Sequence, residues 1–304
     1  LTMLLITKMY LRKVNVNKIQ LTLTELIYRG RKLLSLGFLI NMSGLIGLGS
    51  IYVLRIYIGR TGGLEDVGYY VAGYGFVTKY AGIIFQAMSK DYLPRLSALS
   101  NDNEAFHEAV NRQKEILVLL ISPFVILLIV SAQYLILVLY SEKFLEIILM
   151  LQLISFGMFF RATSWSMGFI PIAKGDGKIV LWNSLGFGVV ALSINILGYK
   201  YGGISGLGLA FLINNIISTI HGYIISRVFY QYKLSRSNII LIPKQLLFVL
   251  SGFLAMYYLE SPVNYLLGLC ILTVSIVYSY WELDSRLALI SLFKAFFHRR
   301  SRKR

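Results

Sequence analysis

The chain has 304 residues, 57% of them apolar and 14% charged, with 30 Lys and Arg against 14 Asp and Glu. A mean hydropathy of +0.68 excludes a soluble globule of ordinary surface and implies a polytopic membrane protein. The single cysteine, Cys270, excludes an intrachain disulfide and a cysteine zinc site.

The chain opens on Leu1, with neither an initiator methionine nor a signal peptide, which predicts that it continues a longer product. Residues 1–9 are apolar but too short to span, and are expected to end a preceding helix. Residues 21–32 place Leu21, Leu23 and Leu26 beside Arg29, Arg31 and Lys32, the pattern of an amphipathic helix on the inner membrane surface. A window of roughly 20 apolar residues then predicts eight spans, at 33–54, 67–90, 116–139, 145–170, 179–198, 204–226, 240–259 and 264–281. The fold class is therefore all-α, a membrane helix bundle of about eight spans. Its expected organisation is a linker at 1–32, a six-helix lobe at 33–230, two peripheral helices at 231–285 and a basic tail at 286–304.

Sorting the basic residues by side tests this count. Twenty-four of the 30 lie before the first span, in the even-numbered connections or at the span ends beside them (Lys90 and Lys244), or in the tail, while Arg55, Arg60, Lys143 and Lys200 lie in the odd-numbered connections. The positive-inside rule then places both ends of the chain in the cytoplasm. The +16 excess is what topology requires, and without a recognition motif it does not indicate nucleic acid. Lys294, Arg299, Arg300, Arg302, Lys303 and Arg304 make the tail either a stop-transfer flank or a holder of anionic headgroups.

In the second span Lys79 shares a helical stripe with Gly68, Ala72, Gly75, Gly82, Gln86 and Ser89. A cation near the bilayer midplane costs at least about 3 kcal/mol, so such residues face a bundle interior or a wet cavity. Lys79 is expected to line a cavity that receives an anion; the alternative is a helix-to-helix hydrogen bond. In the fourth span Gly157, Arg161, Ser164 and Gly168 share a face with Trp165 beside it, and Arg161 is either functional or snorkels to the cytoplasmic side. In the first span Gly37, Asn41 and Gly44 repeat at the same spacing, before Arg55 at the outer end, and close helix packing is the favoured reading of those glycines. Asn183, Ser193, Asn195, Asn214, Asn215, Ser218 and His221 load the fifth and sixth spans with polar groups, part of which should face the same interior; His221 reads as a packing residue. The candidate cavity set is thus Lys79, Arg161, Gln86, Asn41 and Arg55, with no catalytic or metal-binding residues.

None of the acidic residues falls deep inside a span, as catalysis on membrane sugars or phosphates would want. Glu65 and Asp66 stand at a helix entrance, where negative charge complements the dipole. Gly175-Asp176-Gly177-Lys178 lacks the upstream glycine and the Ser or Thr of a phosphate-binding loop. No cofactor and no enzymatic activity are expected.

Four strings carry a family resemblance: Tyr92-Leu93-Pro94-Arg95-Leu96-Ser97, Leu139-Tyr140-Ser141-Glu142-Lys143-Phe144, Ala173-Lys174-Gly175-Asp176-Gly177 and Gly202-Gly203-Ile204-Ser205-Gly206-Leu207-Gly208. In their order relative to the spans, the chain resembles the polysaccharide-exporter and O-antigen type flippases of the multidrug/oligosaccharidyl-lipid/polysaccharide superfamily, over roughly residues 20 to 285. The resemblance implies two pseudosymmetric lobes around a central cavity, of which this chain would be the second lobe plus two extra helices. It implies movement of an undecaprenyl-diphosphate-linked oligosaccharide from the inner to the outer leaflet of the bacterial plasma membrane by alternating access, alongside a polysaccharide polymerase and other export components. Lys79 and Arg161 would then meet the diphosphate, and Tyr70, Tyr74 and Trp165 the sugars. The alternatives are a cation-coupled drug exporter of the same superfamily, which would want carboxylates in its cavity, and a membrane glycosyltransferase or polymerase, which would want a long outer loop.

Overall fold

A computed structural model describes residues 23–287; the expected helix end at 1–9 and the basic tail from residue 288 on lie outside them. The described residues are helical throughout their length apart from short connections. Helix α1 is Leu23–Thr61, α2 Gly63–Ala98 and α3 Asn103–Leu139. A 3-10 turn, Glu142–Ile147, leads into α4, Ile148–Gly168, and the short α5, Ile170–Ala173. Then follow α6, Gly177–Tyr230, α7, Arg236–Tyr258, and α8, Val263–Leu287.

Most of the expected spans fall within one helix; 145–170 instead runs from the 3-10 turn through α4 into α5, and 240–259 passes the end of α7 by one residue. Among the described residues six helical segments are long and apolar enough to cross a membrane. Helix α2 is not one of them: its middle, residues 67–89, carries Lys79, Gln86, Thr78 and several Gly and Tyr among its apolar residues. Helix α6 holds two of the expected spans. At 54 residues a straight α6 would be about 80 Å long, against about 30 Å of hydrocarbon, but Gly203 adopts φ 55° and ψ −141° and breaks it. A side chain is strained at that φ, and glycine is not. The two arms fold back on each other: Asn214 Nδ2 donates to the Ala191 carbonyl at 3.3 Å, and Gly198 lies against the Gly206 backbone. Helix α1 runs unbroken through residues 32 and 33, where the sequence suggests a passage from linker to span.

The core lies between α2, α3, α4 and α6. Leu117, Ile121, Val125 and Ile129 of α3 and Met150, Phe159 and Ala162 of α4 are fully buried. Helices α4 and α6 meet at glycines: a Cβ on Gly208 would stand 2.8 Å from Met150 Cα, and one on Gly157 would stand 2.6 Å from the Phe211 ring. Such close backbone approach is how membrane helices gain packing without a hydrophobic drive between them.

Polar ties hold the two ends of the bundle. At one end Lys143 Nζ pairs with Glu65 at 2.6 Å and Tyr199 donates to Asp66, so these two acids bind α2 to its neighbours as well as facing the helix dipole. Hydrogen bonds from Lys143 and Tyr69 hold the Glu65 carboxyl below its ordinary range. At the other end Glu115 of α3 accepts from Arg286 Nε at 2.9 Å and from Ser235 Oγ at 3.3 Å. Asn238 Nδ2 donates to the Asn111 carbonyl at 3.1 Å. These bonds seat α7 and α8 against α3, and the buried pair Gln245 and Ser279, 2.9 Å apart, joins α7 to α8.

Candidate functional site

Helices α1, α2, α4 and both arms of α6 enclose a cavity of about 760 Å³. Helix α1 contributes Ser43, Gly44 and Ser50, α2 contributes Tyr70 and Tyr74, and α4 contributes Arg161, Ser164 and Trp165. From α6 come Asn183, Asn195, Asn214, Asn215, Ser218 and His221. The lining therefore takes up every polar residue singled out in the fifth and sixth spans except Ser193, whose hydroxyl donates to the Val189 carbonyl one turn back at 2.9 Å. His221 lies parallel to the Phe187 ring, centroids 6.1 Å apart.

Beside this cavity, α2 and α4 form a groove of about 310 Å³ lined by Thr78, Gly82, Gln86 and Ser89 on one side and Met158, Arg161, Trp165 and Phe169 on the other. Arg161 and Trp165 line both spaces. Arg161 is the one charged side chain lining either of them. Trp165 is fixed by rings on two sides, Tyr92 at 5.5 Å and Phe169 at 4.6 Å, and Tyr92 is itself anchored by its hydroxyl donating to the Ser166 carbonyl at 3.1 Å.

Of the five residues proposed from sequence, the fold brings Arg161 and Gln86 together in the groove. Lys79 lines neither space. It is exposed on α2, on the side of Gly82 and Gln86 and opposite the buried Val77, Ala81 and Phe85. Among the described residues the glycines of its stripe form no close packing seam, since a Cβ at Gly68, Gly75 or Gly82 would meet nothing within 4 Å. Asn41 is exposed and donates to the Gly37 carbonyl at 2.8 Å. Among the described residues nothing lies within 4 Å of a Cβ at Gly37 or Gly44 either. Arg55 is half-buried near Tyr52, 5.8 Å from its ring centroid, and its Nε has no partner.

Tyr70 and Tyr74 are stacked at 5.3 Å and line the cavity. Ser43 and Ser50 escape the sequence reading, though their spacing of seven, which places both on one face of α1, was the available signal. The Gly175 turn is structural: φ is +80°, Tyr230 donates to Asp176 at 2.9 Å, and Gly177 packs on Leu36 and Leu39. Among the described residues no group of three or more His, Cys, Asp or Glu is placed to hold a metal ion. The arrangement offers hydrogen bonds, aromatic faces and one fixed positive charge, which suits binding of a polar, partly anionic molecule.

Residues 5–149 match a family model described as polysaccharide biosynthesis protein. A comparison with curated protein sequences gives no match. Among solved structures the chain is similar to the lipid II flippase MurJ in an inward closed conformation, with a TM-score of 0.59, 14% identity and 91% of this chain covered. The chain spans 59% of the length of that flippase chain. At this identity the likeness shows the fold. The apolar helices and the shared fold make this a multi-pass membrane protein.

Proposed function

We propose that the chain is the second lobe of a flippase that carries a diphosphate-linked oligosaccharide lipid from the inner to the outer leaflet of the plasma membrane for surface polysaccharide export. The observation that carries this reading is the place of Arg161, a lone cation where the cavity and the groove meet. A diphosphate leaving interfacial water needs fixed positive charge and matching donors, and a guanidinium presents both in a planar fork. No carboxylate lines either space, which disfavours an exporter of organic cations.

Lys79 and Gln86 extend the same surface along α2. The exposed stripe around Lys79 is suited to face a second lobe across a central cavity, as in alternating-access transporters built from two repeats. Residues 33–230 would form this lobe and 231–285 its two outer helices, with both ends of the chain cytoplasmic by charge distribution. A polysaccharide polymerase would use the delivered units.

The test is binding of geranylgeranyl diphosphate to the purified chain. Arg161→Ala is expected to weaken binding about tenfold or more, the worth of a charge-assisted hydrogen bond, whereas Arg161→Lys retains part of it. Equal affinity in the alanine form would contradict the assignment.

A further inference from the structure

We propose that Lys114 is a proton-binding site kept under the connection between α6 and α7, and that lifting this connection, residues 231–235, is coupled to uptake of a proton from the cytoplasmic side. The site is separate from the cavity and the groove, and it stands whether or not Arg161 binds a diphosphate. Its proton gives the proposed transporter a means of energy coupling.

Lys114 lies in the polar inner part of α3, two residues before the span expected at 116–139, yet it is only 2% exposed. A lysine near a span end ordinarily carries its charged head to water. Here Nζ lies instead over the Tyr232 ring, 5.1 Å from the centroid. Among the described residues no carboxylate pairs with it. A ring face offsets only part of the cost of burying an ammonium, so the neutral amine is favoured. Burial pushes Lys114 down to about 7.

The cover over Lys114 is held by polar ties. Residues 231–235 are not helical, and one side chain of α3, Asn111, binds them at three points. Tyr232 Oη donates to Asn111 Oδ1 at 2.7 Å, the Ser235 N–H donates to the same oxygen at 3.1 Å, and Asn111 Nδ2 donates to the Lys233 carbonyl at 3.0 Å. A strap held in this way lifts without unwinding α3, and lifting it takes the Tyr232 ring off the amine.

The ionisable groups around the strap supply no counter-charge. On α3, Glu115 is engaged by Arg286 of α8 at 2.9 Å, and His107 Nε2 meets the Tyr230 carbonyl at 3.1 Å. From α2, Arg95 donates to Gln113 at 3.1 Å and Tyr92 to the Ser166 carbonyl. Tyr223 of α6 stands edge-on to Tyr232 at 6.4 Å, while Lys233 and Arg236 are exposed. Met167 of α4 and Ile170 of α5 join the same cluster and do not titrate. Covered, Lys114 is neutral above about pH 7; in water a lysine keeps its proton up to about pH 10.4. Between those values uncovering takes up one proton, so it is favoured as pH falls.

The test is hydrogen exchange of the full chain in detergent, read at residues 231–235. The N–H groups of Gln231 and Tyr232 are bonded to the Arg227 and Ser226 carbonyls, each at 3.1 Å, and that of Ser235 to Asn111. After correction for the intrinsic rate, protection of these amides in the parent is expected to fall by up to about tenfold per pH unit from about pH 9 toward 7, the linkage of one proton. It levels off below that range, and the amides of α4 stay protected throughout. Lys114→Met, which cannot titrate, is expected to remove the slope; if thermal unfolding shows that form unfolded, the polar and uncharged Lys114→Gln decides. No slope in the parent, an unchanged slope in the deciding variant, or a slope shared by α4 overturns the proton site and leaves the diphosphate reading standing.

Discussion

The cost of a cation in hydrocarbon decides how Lys79 and Arg161 are to be read. At least about 3 kcal/mol is at stake for each, so neither is at home against acyl chains. Arg161 has an evident place, between a cavity and a groove. Lys79 is exposed on a stripe where, among the described residues, a Cβ at Gly68, Gly75 or Gly82 would meet nothing within 4 Å, and the proposed function requires water there. Lys79→Cys, in a chain whose single native cysteine is changed to Cys270→Ser, should therefore react with a membrane-impermeant thiol reagent. Protection from that reagent, with a control cysteine in an outer connection labelled normally, would place Lys79 against lipid or protein and remove it from the site. The sequence made Lys79 conspicuous through depth and sign of charge. It did not show the more central position of Arg161, because that depends on α2 lying against α4, a contact that no local pattern encodes.

At the level of helices, the apolar runs and the breaks between them were legible. The doublet Gly202-Gly203 marked the turn between the two arms of α6, and Gly203 does adopt the left-handed φ of 55° that glycine permits. The continuity of α1 was not legible, since its inner third is amphipathic and basic and reads as surface helix, yet carries no proline to stop the helix. Nor were the ties between Asn111, Glu115, Asn238 and Arg286, which join residues more than a hundred positions apart and leave no periodic trace. The glycine seam between α4 and α6 gives a direct test of this packing. With a Cβ at Gly208 already 2.8 Å from Met150 Cα, Gly208→Leu should cost about 1–3 kcal/mol or more as an overpacked contact. The measurement is the thermal unfolding midpoint in detergent, compared with Gly186→Leu, where a Cβ would meet nothing within 4 Å. Equal midpoints would mean that α4 and α6 do not approach as described.

For the whole molecule, the fold supplies a helix bundle with an internal cavity and an exposed stripe around Lys79, and under the proposed function that stripe faces a central pathway shared with a second lobe. The apolar runs made the membrane helix bundle readable from sequence, and the MurJ-like fold agrees with it; the family strings point the same way as the polysaccharide biosynthesis model matched over residues 5–149. The polar load of the fifth and sixth spans was readable too, as Asn183, Asn195 and Asn214 show. Its enclosure within the lobe was not, because an amide on a helix reveals its face only when the neighbouring helices are in place. The central claim is that Arg161 holds the diphosphate during transport. It is tested most directly by surface polysaccharide display in cells whose intact transporter gene carries Arg161→Ala or Arg161→Lys, with the amount of protein in the membrane measured in parallel. The account predicts that the alanine form abolishes display at normal protein level while lipid-linked units accumulate inside the cell, and that the lysine form restores part of the display. Normal display in the alanine form would contradict it.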